Sequence, residues 1–330
     1  MKIAILGDGG WGTTLAILLS DKGYKVNLWS AFSDYAKYLD ENRENIKFLP
    51  GVRISREIFI TSDTKKAMDG ADVIVLAVPS QFLRSVIEKL APSDFKDRLV
   101  ISVIKGIEIQ TLKRISEVIE EMLGDVNIAV LSGPSIALEV ANGIPTTVVA
   151  ASRPNTNFAK AAQELFTADR FRVYTSNDII GVELGGALKN IIAIAAGIND
   201  GLGFGSNSKA ALMVRGMVEI TRLGAAMGAN SQTFWGLSGM GDLITTCVSP
   251  YGRNRWFGEE VGAGKKPQDV LKETSMVVEG YATTKAAYEL SKRYKTEMPI
   301  TENMYGVLYQ GKKPEEAVSG LMARQPKSEN

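Results

Sequence analysis

The opening dozen residues constrain the fold more than any other stretch of the chain. An apolar run, Lys2-Ile3-Ala4-Ile5-Leu6, passes directly into Gly7-Asp8-Gly9-Gly10-Trp11-Gly12 and then into a helical stretch, Thr13 to Ser20. Glycines spaced G-x-G-x-x-G between a strand and a helix match the fingerprint of a dinucleotide-binding unit. Gly7 allows a tight turn, Gly9 lets backbone N–H groups approach a pyrophosphate, and Gly12 lets the helix pack closely on the strand. The positive end of the helix, which Gly10 and Trp11 adjoin, would then stabilise the phosphates. Asp8 fills a variable slot of the loop and is expected to point to solvent.

The rest of the first half repeats this alternation. Tyr24–Trp29 reads as a second strand and Ser33–Glu41 as a polar helix. Apolar runs at Val73–Val78, Leu99–Val103, Ile128–Leu131 and Thr146–Ala150 alternate with helical segments at Gln81–Leu90, Leu112–Leu123 and Asn157–Phe166. Near-continuous Val/Ile/Leu strands separated by amphipathic helices indicate an α/β fold: a Rossmann-type, mainly parallel sheet covered on both faces, with ligands at the carboxyl ends of its strands. Chemistry is therefore expected at Pro79-Ser80, Lys105-Gly106-Ile107-Glu108 and Ser132-Gly133-Pro134-Ser135. From Gly181 the pattern is helical to the end, so the chain divides into a dinucleotide-binding domain at 1–180 and an all-α substrate-binding domain at 181–330.

Composition removes several function classes. With 330 residues, 45% hydrophobic and 23% charged, a soluble protein of two domains is expected, with disorder only in the tail from Gln325. The net charge of +1 gives no basic field of the kind that collects nucleic acid. The single cysteine, Cys247, excludes an intrachain disulfide, makes a cysteine-built metal site unexpected and fits a reducing cytoplasm. The apolar N-terminus is too short for a signal-peptide core, and the run Ile191–Ile198 is too short to span a membrane, so no stable membrane insertion is expected. There is no histidine. Zinc hydrolases, Ser-His-Asp hydrolases and dehydrogenases using a His–Asp pair are excluded, no metal is called for, and acid–base work falls to Lys, Asp, Glu, Tyr or Cys.

Lys189 is the leading candidate for that work. It interrupts Glu183–Ile198, a segment apolar almost all round, and shares a helical face with Gly185, Gly186, Ala193 and Ala196. A buried lysine is costly unless paired or neutral. It reads either as half of a structural ion pair, with Glu183 or Asp242, or as a general acid–base group whose pKa is lowered by burial. Downstream, Gly239-Met240-Gly241-Asp242 is a glycine-spaced turn ending in an acid. Gly252-Arg253-Asn254-Arg255 offers a guanidinium and backbone N–H groups near a helix start, the parts of a phosphate clamp or of a solvated surface cluster.

These motifs, with Val277-Val278-Glu279-Gly280 and Glu297-Met298-Pro299-Ile300-Thr301, occur in an order that resembles the bacterial-type NAD(P)-dependent glycerol-3-phosphate dehydrogenases along nearly the whole chain. The resemblance implies reversible hydride transfer between NAD or NADP and the dihydroxyacetone phosphate/glycerol 3-phosphate pair. It further implies a cytoplasmic homodimer supplying phospholipid synthesis. It assigns Lys189 as proton donor to the ketone oxygen, Lys105 as the group that holds and polarises the substrate, and Asp242 and Asn190 as orienting groups. Arg253, Asn254 and Gly252 would bind the phosphate, with Gly133 and Ser135 lining the site. Cofactor contacts would come from Gly10, Trp11, Lys105, Ala137, Arg253, Val277 and Glu279, beside the loop glycines Gly7, Gly9 and Gly12. Two departures stand out: the family's Ser-Arg-Asn is Gly252-Arg253-Asn254 here, and Trp29-Ser30-Ala31-Phe32 carries neither an acid for a ribose 2′-OH nor a base for a 2′-phosphate. A reductase of another small keto acid, or a nucleotide-binding redox sensor without turnover, are the alternative readings.

Overall fold

The fold is described from a computed structural model covering every residue except Lys327 and Asn330; the expectation of a disordered tail from Gln325 falls in part on these two, outside the described residues. Among the described residues ten strands form: β1 (Lys2–Leu6), β2 (Lys25–Trp29), β3 (Glu44–Asn45), β4 (Leu49–Arg53), β5 (Phe59–Thr61), β6 (Val73–Leu76), β7 (Leu99–Ser102), β8 (Asn127–Ser132), β9 (Thr146–Ala151) and β10 (Phe171–Ser176). Eight of them build one sheet in the order β10-β9-β8-β7-β6-β1-β2-β5, while β3 and β4 pair as a separate hairpin. The strand order reverses at β1, so the glycine loop leaves the sheet where a crevice opens at the carboxyl ends.

All neighbours in the large sheet run parallel except β8 and β9. The connection from β8 to β9 carries one short helix, Ala137–Ala141, and β9 runs back beside β8.

The apolar strand signals proved accurate to within a residue or two, but β3, β4, β5 and β10 carry no continuous Val/Ile/Leu run and were not among the expected strands. Three helices differ from expectation. The stretch expected over Gln81–Leu90 is a 3-10 turn at Ser80–Phe82 followed by a helix at Leu83–Ile87. The stretch expected from Leu112 begins at Ile115, because Leu112 takes a left-handed backbone (φ 62°) and Ile107 bridges Arg114 across the turn. The first helix begins at Gly10, three residues early, so Gly10, Trp11 and Gly12 form its first turn.

The sheet is buried on both faces, by separate apolar clusters around Ile5, Leu15 and Val75 on one side and Leu6, Ile74 and Val100 on the other. After β10 the chain is helical, and a third cluster centres on helix Ile179–Gly201, around which the later helices pack. This helix has 23 residues, and an 18-residue stretch of it has a mean hydropathy of 1.6, enough by length and composition to cross a membrane, yet 94% of that stretch is buried inside the protein. Its extent exceeds the apolar run Ile191–Ile198 because its polar side chains find partners and need not end it.

Glu219, on helix Ser206–Ala226, shows how such partners work. It is 2% exposed and accepts hydrogen bonds from the backbone N–H groups of Ile300 and Thr301 and the Thr301 hydroxyl, at the start of helix Pro299–Tyr309. An anion there complements the helix dipole, while burial pushes the carboxyl pKa up to about 7 from the ordinary 4.5. A carboxyl whose folded pKa is raised binds extra protons only in the folded state, so its stabilising contribution is full below pH 4.5 and is lost as the pH rises to about 7. Relative to Glu219→Gln, the wild type is expected to lose roughly 3 kcal/mol of unfolding free energy across that window. Denaturant titrations of both proteins at each end of the window check it; a difference independent of pH refutes the raised pKa.

Candidate active site

Lys189, Lys105 and Asp242 reach the crevice above the sheet from three different elements. Lys189 projects from the middle of helix Ile179–Gly201, Lys105 follows β7, and Asp242 opens helix Asp242–Val248. Small residues make the convergence possible. A Cβ on Gly186 would lie 3.5 Å from the Lys105 side chain and 2.6 Å from Ser132 Oγ, so the lysine stem crosses the helix where bulk is missing. At the preceding residue, a Cβ on Gly185 would meet the Ser238 carbonyl at 2.5 Å, so the glycine turn that leads to Asp242 packs directly on the helix.

Asp242 divides its carboxylate between the two lysines. Oδ1 is 2.8 Å from Lys189 Nζ and Oδ2 is 2.7 Å from Lys105 Nζ. The Asp242 and Lys189 side chains are 2% and 8% exposed, whereas Lys105 keeps 19%, so the pair is sealed on the helix side and opens towards Lys105. Lys105 Nζ also donates to the Gly133 carbonyl (2.9 Å) and, more weakly, to Ser135 Oγ (3.4 Å). Lys189 Nζ further donates to the Thr246 hydroxyl. Burial draws the Lys189 pKa down to about 8; Asp242 opposes the drop and the neighbouring Lys105 charge adds to it. Two ammonium groups share one carboxylate, which leaves a positive charge in excess beside a group able to give up a proton near neutral pH. Glu183, the other partner considered for Lys189, accepts instead from Ser116 N (2.7 Å), the Ser116 hydroxyl and Arg114.

Asn190 and Asn254 tie this cluster to a second helix start. Asn254 Nδ2 donates to Asn190 Oδ1 (2.9 Å), Gly280 N donates to Asn254 Oδ1 (2.9 Å), and Asn190 Nδ2 lies 3.5 Å from the Lys105 carbonyl. The Asn254 side chain is therefore spent internally. Helix Arg253–Gly262 begins at Arg253 with Gly252 as its uncapped N-cap, so its first-turn N–H groups remain free for an anion. The Arg253 side chain is exposed and donates to the Val277 carbonyl (3.3 Å). Arg255 is committed elsewhere, 2.7 Å from Asp200. Gly252 offers no hydroxyl, and a Cβ there would stand 3.0 Å from the Thr246 carbonyl.

The glycine loop lies at the other end of the crevice. Gly7 has φ 125°, and a Cβ on Gly12 would lie 1.9 Å from the Gly7 carbonyl, so both glycines are required by the turn and the close strand–helix approach. No side chain caps the first helix, and a Cβ on Gly9 would meet nothing within 4 Å. The loop at Gly9 is thus open and the first turn of the helix is left without a side-chain cap, which fits a dinucleotide pyrophosphate. Ala137 stands against Gly10, at 3.6 Å from its would-be Cβ, and its carbonyl accepts from Thr14 Oγ1 (3.1 Å). Glu279, at the start of a helix, reaches across the crevice and accepts from Ser80 N (2.9 Å) and the Ser80 hydroxyl.

Residues 2–158 match the family of the NAD-dependent glycerol-3-phosphate dehydrogenase N-terminus, and residues 178–319 match that of its C-terminus. The chain belongs to the NAD-dependent glycerol-3-phosphate dehydrogenase family. It is 51% identical over 332 residues to glycerol-3-phosphate dehydrogenase [NAD(P)+] of Prosthecochloris aestuarii, covering 100% of both chains. It is 52% identical to the Bacillus subtilis protein of the same name, covering 98% of this chain and 94% of that one. The crystal structure of glycerol-3-phosphate dehydrogenase from Coxiella burnetii superimposes with a TM-score of 0.94 at 39% identity, covering 98% of this chain and 99% of that one.

In the glycine loop the structure corrects an expectation. Asp8 does not point to solvent: Oδ2 accepts from the Ser30 hydroxyl at 2.6 Å, and burial raises its pKa. The loop turns the side chain towards the end of β2, where a buried hydroxyl meets it. Thr246 was given no role by the sequence, and Ser80, expected near the site, was given no partner. Thr246 could have been found, since it lies four residues after Asp242 on one helix and so shares its face. Ser80 could not be paired with Glu279, 199 residues away, from any local pattern.

Proposed function

We propose that this protein is a cytoplasmic, homodimeric dehydrogenase that reduces dihydroxyacetone phosphate at C2 to sn-glycerol 3-phosphate, reversibly, as a supply for glycerophospholipid synthesis. The division near residue 180 then separates a dinucleotide-binding part from a helical substrate part, and the apolar helix Ile179–Gly201 serves as core, with no membrane insertion. The observation that carries this reading is the Asp242 carboxylate shared by Lys189 and Lys105 in a crevice that also holds Arg253 at an uncapped helix N-terminus.

When bound, NADH or NADPH supplies the hydride. Lys105 orients the ketone and offsets the negative charge that grows on its oxygen during reduction. Lys189 gives its proton to that oxygen and in the oxidation direction takes it back. Asp242 keeps both ammonium groups in place and, by favouring the charged form of Lys189, keeps its pKa close to the working range. Asn190 holds the Lys105 backbone, and Asn254 holds Asn190. The phosphate would sit on Arg253 and the first-turn N–H groups of its helix, with the Asn254 backbone contributing and no hydroxyl from Gly252. A lysine–aspartate–lysine cluster of this kind is unnecessary for a protein that only senses nucleotide.

Oxidation of NADH or NADPH, followed by absorbance on addition of dihydroxyacetone phosphate and in parallel with keto acids, tests the reading; turnover with keto acids alone would overturn it. Arg253→Ala is expected to raise the KM for dihydroxyacetone phosphate by about 10- to 100-fold, the worth of a charge-assisted contact, with kcat within about threefold. Inhibition by inorganic phosphate should weaken in parallel. An unchanged KM removes Arg253 from the phosphate site.

A further inference from the structure

In this fold the adenosine ribose lies beside the carboxyl end of the second strand. An acid about 20 residues after the glycines binds its 2′-OH in NAD-using proteins, and a basic residue nearby accommodates the 2′-phosphate of NADP. Here the end of β2, Trp29-Ser30-Ala31-Phe32, offers neither. The structure brings an acid to the same place from another element. Asp8, inside the glycine loop, reaches the buried Ser30 hydroxyl with Oδ2. Its other oxygen, Oδ1, accepts from no other residue among the described residues, and the side chain is only partly buried.

The orientation of Asp8 is fixed from behind. Its carbonyl accepts from Asn45 Nδ2 (2.7 Å) and Thr13 Oγ1 (3.2 Å), and Asn45 is held in turn by the Tyr35 hydroxyl (2.7 Å). Asn45 and Thr13 are fully buried. Lys47 is the cation that acts on Asp8, and its ammonium lies over the Tyr35 ring, 4.3 Å from the centroid. Arg43, on the same hairpin, is tied to Asp40 and to the Ser55 and Ile58 carbonyls.

We propose that Asp8, anchored by Ser30, is the specificity-determining residue for the adenosine ribose, and that it makes this chain select NAD over NADP. One carboxylate oxygen is held by Ser30 and the other is presented to a ribose hydroxyl, which can donate to it. A 2′-phosphate cannot donate, and it would bring negative charge against negative charge in a partly desolvated corner. The inference rests on the dinucleotide-binding part of the function proposed above and goes beyond it by choosing between the two cofactors.

The test is direct binding, by fluorescence titration of NADH and NADPH against the full-length wild type and Asp8→Asn, with melting temperatures recorded for both. The wild type should bind NADH at least about tenfold more tightly than NADPH, and Asp8→Asn should narrow that ratio by about tenfold, mainly by tightening NADPH, at an unchanged melting temperature. A wild-type ratio near one, a preference for NADPH, or a variant that shifts both ligands by the same factor overturns the proposal. Turnover assays keep the two claims apart. Selective NADH binding without reduction of dihydroxyacetone phosphate would sink the dehydrogenase reading alone, whereas equal binding with turnover would sink only the role of Asp8.

Discussion

Lys189→Ala is expected to lower kcat for dihydroxyacetone phosphate reduction by about 10³-fold, within the range that a positioned acid–base group contributes, while NADH still binds. The loss follows from the absence of a substitute. The chain has no histidine, and Cys247, buried nearby, has its thiol pushed up to about 12 by desolvation, far too weak an acid to replace an ammonium. The pH profile adds a signature that mere damage to the fold would not produce. With its pKa near 8, Lys189 must be protonated for reduction and neutral for oxidation. In the wild type kcat should therefore fall above about pH 8 in one direction and rise through the same midpoint in the other. Stopped-flow and steady-state rates across pH 6 to 10 would check this, and a variant with normal turnover would remove Lys189 from the chemistry.

Asp242→Asn is expected to lower kcat by about 10²-fold, for a different reason. The carboxylate is the main group that favours the charged Lys189 against burial and the Lys105 charge. Without it two ammonium groups face each other in a sealed site, and removing one partner of a buried ion pair leaves an uncompensated charge. Lys189 then sheds its proton more readily, so the midpoint of the reduction profile should move below 8. The variant has nearly the same shape as the wild type, and a circular dichroism melt separates a folding defect from the electrostatic one. A reduced rate with an unmoved midpoint would show that Asp242 positions the lysines without tuning them.

Much of this arrangement was legible in the sequence because it depends on local rules. The glycine spacing dictated a turn and a helix N-terminus, since only glycine accepts the backbone of Gly7 and the close approach at Gly12. The apolar runs gave the parallel strands, and a lysine on an apolar helix had to be explained by a partner or a lowered pKa. The reading left two partners open for Lys189, and helix periodicity could not choose between Glu183 and Asp242. The choice was made in space: Glu183 caps the helix that begins at Ile115, through Ser116, leaving Asp242 for the lysines. The reading of Asp8 failed for the same reason. A variable slot in a loop has no periodicity, and only the neighbouring strand end supplied the Ser30 hydroxyl that turns the carboxylate inward.

By itself the sequence determined the class of fold, the phosphate-facing helix start and the restriction of acid–base chemistry to groups other than histidine, because backbone sterics, hydrophobic period and residue chemistry act over a few neighbouring positions. Tertiary structure alone decided which polar groups meet: Lys105 with Asp242, Glu279 with Ser80, Asp8 with Ser30. Those pairings depend on desolvation and distance between segments far apart in the chain, and both are properties of the packed molecule.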